Sequence, residues 1–311
     1  MAPTPHPDVL RLSAQFAAAG VATYDTMSVP HARAVLEGVT RVQQPAVEGV
    51  QVRDVLVPGA AGLLPARVYS PNPARPLPVV VYLHGGGWVL GSLRSADGPC
   101  RRLAQAAGCV VVSVAYRLAP ETKFPGPLED CVRAVRWLGA HLEDVGGDGS
   151  RLVLLGDSAG GNLVAATTLQ LRDEPGPRID HQVLLYPALL PARTNRYPSY
   201  EENADGPFMS RREMLWFWDH YLRDRADEAD PRAAPLLAAD LSGLPPATVV
   251  VCELDVLRDE GIAYADRLRA AGVPVETTVY PGAAHGFWWM DAAMTQADEL
   301  TAQLAPVLRG R

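Results

Sequence analysis

The chain has 311 residues, of which 48% are hydrophobic and 20% charged, and its formal net charge is −7 with seven histidines counted neutral. That composition excludes a disordered polar chain and supplies a large buried core, as one α/β domain or two smaller ones. The acidic balance, with no lysine- or arginine-rich run, argues against a nucleic-acid partner and serves solubility.

No apolar run approaches the ~20 residues that span a bilayer. The opening "MAPTPHPDVL" lacks the basic and then apolar pattern of a secretory leader. Cys100, Cys109, Cys131 and Cys252 lie in apolar segments, form no CxxC pair and have no histidine at zinc-ligand spacing. They read as buried free thiols with no metal, and they predict a reducing compartment, the cytoplasm.

Residues 1–45 read as helices. "PDVLRLSAQFAAAG" carries Val9, Leu12 and Phe16 at helical spacing, and "SVPHARAVLEGV" offers Ser28 as a cap with Pro30 in the first turn. "VQVRDVLVPG" and "LPARVYSP" then read as an antiparallel strand pair. From residue 78 the texture alternates. "PVVVYLHGGG" is a strand and 95–107 a helix. "CVVVSVAYR" is a strand and "PLEDCVRAVRWLGAHL" an amphipathic helix. "RLVLLGDS" is a strand and "AGGNLVAATTLQLR" a helix, followed by the strand "HQVLLYP". After a gap come the strand "PATVVVCELD", the helix "RDEGIAYADRLRAAG", the strand "PVETTVYPG" and a last helix over 291–308. Apolar strands alternating with helices predict a mostly parallel sheet covered on both faces. The gap holds about 60 residues, far more than a βα connection needs. Within it, 190–230 is expected to be an insertion above the sheet, including the helical "SRREMLWFWDHYLRD". The expected division is therefore 1–45 as helices of a cap, 46–189 as the first part of the core, 190–230 as the cap insertion, and 231–311 as the rest of the core.

The chemistry centres on "GDSAG", a G-x-S-x-G pattern at the end of an apolar strand and the start of a helix. Such a turn is sharp, and only small residues fit two positions either side of the serine. Ser158 is thereby projected from the carboxyl edge of the sheet, where ligands bind. A serine hydroxyl needs a base. His285, in "YPGAAHGFWW", follows the last strand at that same edge, whereas the other histidines fall on helices, before strands or in the "HGGGW" loop. The base needs an orienting acid. "VVVCELDVLRDEG" offers Glu253, Asp255, Asp259 and Glu260. Asp255 sits just past the strand, Glu253 is still on it, and Asp259 and Glu260 fall in the first helical turn, where acids complement the dipole. "HGGGW", residues 84–88, follows a strand and leaves backbone N–H groups unscreened. Gly86 and Gly87, with the N–H of Ala159, are the expected oxyanion donors. His84 is expected to pin that loop, and Asp157 to be structural.

"HGGGW", "YRLAPE", "GDSAGG", "DVLRDEG" and "HGF" occur in that order, and from about residue 45 onward the chain resembles the hormone-sensitive-lipase-like family of α/β-hydrolases, in its bacterial esterase branch. The resemblance implies an eight-stranded sheet with an antiparallel second strand, helices on both faces and a helical cap built from the N-terminal helices and the 190–230 insertion. It places the triad on Ser158, Asp255 and His285 and the oxyanion donors on Gly86, Gly87 and Ala159. Family members often have an aromatic residue and a proline flanking the acid, where this chain has Leu254 and Val256.

The expected activity is serine carboxylesterase action on a small-molecule ester through an acyl-enzyme, with no cofactor. Trp88, Leu215 and Phe287 are expected to touch substrate as part of an aromatic and apolar wall, and the crowded cap predicts short to medium acyl chains. An amidase or formamidase would share the same parts. A non-catalytic receptor of this fold, such as the plant gibberellin receptors, replaces the catalytic histidine, and here His285 stands. Family members sometimes pair through an edge strand, so a homodimer is a further expectation.

Overall fold

The computed structural model describes residues 4–310; residues 1–3, the start of the stretch read for a secretory leader, and residue 311 lie outside the described residues. The strands are β1 (Gln51–Gly59), β2 (Gly62–Ser70), β3 (Leu77–Leu83), β4 (Val110–Val114), β5 (Gly147–Asp157), β6 (His181–Leu185), β7 (Ala247–Leu254) and β8 (Val275–Ala284). They form one eight-stranded sheet in the order β1-β2-β4-β3-β5-β6-β7-β8. β2 runs antiparallel to both its neighbours, and every pair from β4 to β8 is parallel. The apolar runs "VVVYL", "VVVSV" and "VLL" are buried on both faces, as strands covered by helices require.

The helices are α1 (Pro7–Ala18), α2 (Val29–Glu37), α3 (Asp97–Ala107), α4 (Gly126–Ala140), α5 (Ala159–Asp173), α6 (Ser199–Glu202), α7 (Arg211–Tyr221), α8 (Arg258–Ala270) and α9 (Gln296–Arg309). Alternate strand residues feed two cores. Val79, Val81 and Leu83 join Leu128, Val135 and Leu163 on the α4 and α5 side, while Val80, Tyr82 and Leu155 join Leu103, Leu300 and Leu304 on the α3 and α9 side.

The last helix starts later than its apolar pattern suggests, at Gln296, after a short 3-10 turn over Phe287–Trp289. Ser28 stands at the N-cap of α2 without a side-chain bond to the helix. The functional cap lies elsewhere, on α7. There Ser210 and Glu213 complete a reciprocal capping box, legible as S-x-x-E in "SRRE". All four cysteines are free and buried. Burial pushes the Cys109 thiol up to about 12.

α1 is tied to the sheet's body. The Asp8 carboxylate accepts from the Thr295 amide (2.9 Å) and hydroxyl (2.8 Å), and Val9 and Leu12 enter the α3–α9 core. The chain that follows leans on α7 instead: Tyr24 N–H donates to Glu213 Oε1 at 3.1 Å, and the Tyr24 ring lies 5.8 Å from that of Phe217.

Candidate active site

β5 ends at Asp157 and α5 starts at Ala159, so Ser158 alone makes the turn, at φ 55° and ψ −120°. A non-glycine residue held there is strained, and surrounding packing must impose it. A β-carbon on Gly156 would strike the Gly160 carbonyl, and one on Gly160 would strike the carbonyl of Leu83. Those two glycines are what let the chain fold back so tightly. Ser158 N–H donates to Leu185 O on β6 at 2.8 Å, and the Asn162 side chain donates to Ala188 O and Ala233 O at 2.8 Å each. The elbow is thus fastened to the neighbouring loops.

The loops beyond β7 and β8 bring Asp255 and His285 to this turn. His285 Nδ1 lies 2.7 Å from Asp255 Oδ2, and Nε2 lies 2.9 Å from Ser158 Oγ. With Nδ1–H donated to the carboxylate, Nε2 is left to accept the serine proton. Asp255 is fully enclosed and takes a further bond from the Leu257 amide at 3.0 Å. Burial alone would push the His285 imidazole down, but the charge and hydrogen bond of Asp255 prevail and hold it above its ordinary value.

After β3 the chain runs through Gly86 (φ 108°), Gly87 (φ 61°) and Trp88 (φ 62°). The amides of Gly86, Gly87 and Ala159 donate to no acceptor among the described residues. They are free to meet a developing oxyanion. His84 is fully buried, bonded through Nδ1 to Gly85 O at 2.8 Å and stacked on Tyr116 at 4.5 Å. Burial pulls its imidazole down to about 4, so it stays neutral and braces the loop. The Asp157 carboxylate accepts from the Tyr82 hydroxyl at 2.5 Å and from Gly85 N–H at 2.9 Å. It therefore links the elbow to the loop that follows β3, while Tyr82 also accepts from the Trp289 indole at 3.1 Å.

The expected substrate wall is partly corrected. Phe287 is fully enclosed against Tyr186 and Tyr280 in the α3–α9 core, because the 3-10 turn after His285 folds it back under the sheet edge. Trp88 is also fully enclosed, stacked on Tyr221 at 4.3 Å and beside Trp218 at 4.4 Å. Leu215 is half-buried on α7. Tyr186, whose ring meets His285 edge-on at 4.9 Å, was not signalled by the sequence beyond the "LLYP" strand end.

Glu260 lies in the first turn of α8, as expected, but it does more than complement the dipole. It is fully buried and accepts from Leu189 N–H at 2.5 Å, from Leu190 N–H at 3.3 Å and from the Asn195 amide. The segment that enters the 190–230 insertion covers that first turn. Ser199 Oγ donates to Val256 O at 2.7 Å, and the Asn203 amide donates to Asp255 O at 3.1 Å.

Residues 80–289 match the family model described as the alpha/beta hydrolase fold. The chain is 41% identical over 242 residues to ethyl acetate hydrolase of Pseudomonas putida, covering 76% of this chain and 75% of that one. It is 42% identical over 245 residues to carboxylesterase NlhH of Mycobacterium tuberculosis, covering 77% and 76%. Among solved structures, the hyperthermophilic esterase from the archaeon Pyrobaculum calidifontis superposes with a TM-score of 0.93 at 37% identity, covering 99% of this chain and 98% of that one. The chain belongs to the α/β-hydrolase fold family. Within that fold it is a member of the hormone-sensitive-lipase-like esterases.

Proposed function

We propose that this protein is a serine carboxylesterase that hydrolyses short- to medium-chain esters through an acyl-enzyme on Ser158. His285 takes the hydroxyl proton as Ser158 Oγ attacks the ester carbonyl. The N–H groups of Gly86, Gly87 and Ala159 receive the charge that develops on the carbonyl oxygen. Asp255 holds the imidazole and stabilises its charged form. His285 then protonates the departing alcohol. Water repeats the sequence on the acyl group and releases the acid. The observation that carries this reading is the continuous line from Asp255 through His285 to Ser158, at 2.7 and 2.9 Å, beside three uncommitted amides.

Residues 1–45 and 190–230 act as a cap in this reading, supported by the bond and ring contact that join Tyr24 to α7; α1 belongs more to the body than to the cap. Four buried free cysteines support a cytoplasmic location, and no helix among the described residues is long and apolar enough to cross a membrane. The test is a panel of p-nitrophenyl esters from acetate to palmitate, with matched anilides. Wild type is expected to favour the shorter esters over palmitate and over every anilide, and Ser158→Ala to lose turnover. Wild-type turnover by Ser158→Ala, or faster cleavage of anilides, would overturn the assignment.

A further inference from the structure

The expected oxyanion loop is gripped from outside the body by one face of α7. Met214, Phe217, Trp218 and Tyr221 recur at helical spacing and are all buried. A β-carbon built on Gly87 would overlap the Phe217 ring, so this ring rests directly on the glycine's α-carbon. The next residue, Trp88, packs against the same face: its ring stacks on Tyr221 at 4.3 Å with an interplanar angle of 4°, and meets a tilted Trp218 at 4.4 Å. Tyr221 O also accepts from Phe124 N–H at 2.8 Å, which fixes the end of α7 to the body.

The loop needs such a grip. Gly86, Gly87 and Trp88 all have positive φ, and a tryptophan at 62° is in a conformation its own backbone disfavours. Hydrogen bonds hold the backbone on either side of Gly87: Val89 and Leu90 N–H both turn back to Gly86 O, at 3.2 and 2.8 Å, and Trp88 O accepts from Ala119 N–H at 2.9 Å. Gly87 itself is covered by the Phe217 ring, from a helix about 130 residues further along the chain.

We infer that Phe217, with Tyr221 behind Trp88, is a positioning residue for the oxyanion donors: α7 sets the direction of the Gly87 N–H as well as roofing the site. This rests on the reading of Gly86 and Gly87 as donors. It makes the helical insertion part of the transition-state machinery. A ring that holds a donor acts when charge appears on the carbonyl oxygen and only weakly in the ground state, so its loss falls on kcat.

The experiment compares wild type, Phe217→Ala and the milder Phe217→Leu, with Ser158→Ala alongside. Three readouts are taken: kcat and KM on p-nitrophenyl butyrate, inhibition by an alkyl trifluoromethyl ketone, which adds a serine to its carbonyl and places an oxyanion in the site, and thermal unfolding. Phe217→Ala is expected to lower kcat by about tenfold or more with KM changed less than about threefold. Trifluoromethyl ketone affinity should weaken in step with kcat/KM. Phe217→Leu should shift both in the same direction by a smaller factor, and it decides the matter if the alanine variant does not fold. A rise in KM at unchanged kcat, or ketone affinity equal to wild type in folded protein, would overturn the inference, since a ring that only packs or lines the pocket gives that result. If Ser158→Ala retained turnover, the functional reading would fall instead, and the two failures are distinct.

Discussion

The Tyr82 hydroxyl donates to the Asp157 carboxylate at 2.5 Å, and through that bond the residue beside Ser158 is engaged by the strand that leads into the Gly86–Gly87 loop. Gly85 N–H supplies a second bond at 2.9 Å. Burial still dominates and lifts the Asp157 carboxyl to about 6 from an ordinary 3.8. The neutral form is therefore favoured by the fold.

The sign of the linkage follows. A folded-state value above the unfolded one contributes stability at low pH that is lost as pH rises from about 4 through about 6. Asp157→Asn, neutral throughout, removes that loss. Urea unfolding of both proteins at pH 4.5 and pH 7 should show the variant gaining on wild type at the higher pH. An equal difference at the two pH values would contradict the assignment.

His285 is held above 6.5 because the Asp255 charge and hydrogen bond outweigh burial. The free imidazole is the active form, so kcat/KM should rise with pH through an apparent value above 6.5 and level off beyond it. Asp255→Asn removes the charge and leaves burial to prevail. The acid limb should then move to lower pH while kcat falls by roughly 10⁴-fold, because the imidazole loses its orienting acceptor. A pH–rate profile for each protein checks both effects; an unmoved limb would show that Asp255 does not face the base in solution.

Glu260 bolts the start of the insertion to the acid's loop. Glu260→Ala would leave the buried Leu189 amide and the half-buried Leu190 amide without their acceptor, at a cost of about 1–3 kcal/mol in unfolding free energy. Denaturant titration measures this directly. A loss well under 1 kcal/mol would mean that water reaches those amides.

The sheet and the meeting of Ser158, Asp255 and His285 were legible because their signals are local. Each lies just past an apolar strand, and "GDSAG" and "HGGGW" have few other uses in that setting. What escaped was set by contacts distant in sequence. An acid in a first helical turn reads as a dipole partner, and only the segment folded over it buries Glu260. "FWW" after His285 reads as a pocket wall, whereas the 3-10 turn sends Phe287 into the core. The aromatic stripe of α7 was visible as a stripe, but nothing local says that its rings rest on Gly87 and Trp88.

The central claim is that Ser158 is the single nucleophile, and covalent capture tests it most directly. A p-nitrophenyl alkylphosphonate is attacked at phosphorus and loses nitrophenolate, leaving a stable phosphonyl group on the attacking oxygen. Intact-mass measurement followed by peptide mapping should show one adduct, on Ser158, with esterase activity falling in proportion to its occupancy. Stoichiometric labelling at another residue, or full activity in protein labelled at Ser158, would contradict the account.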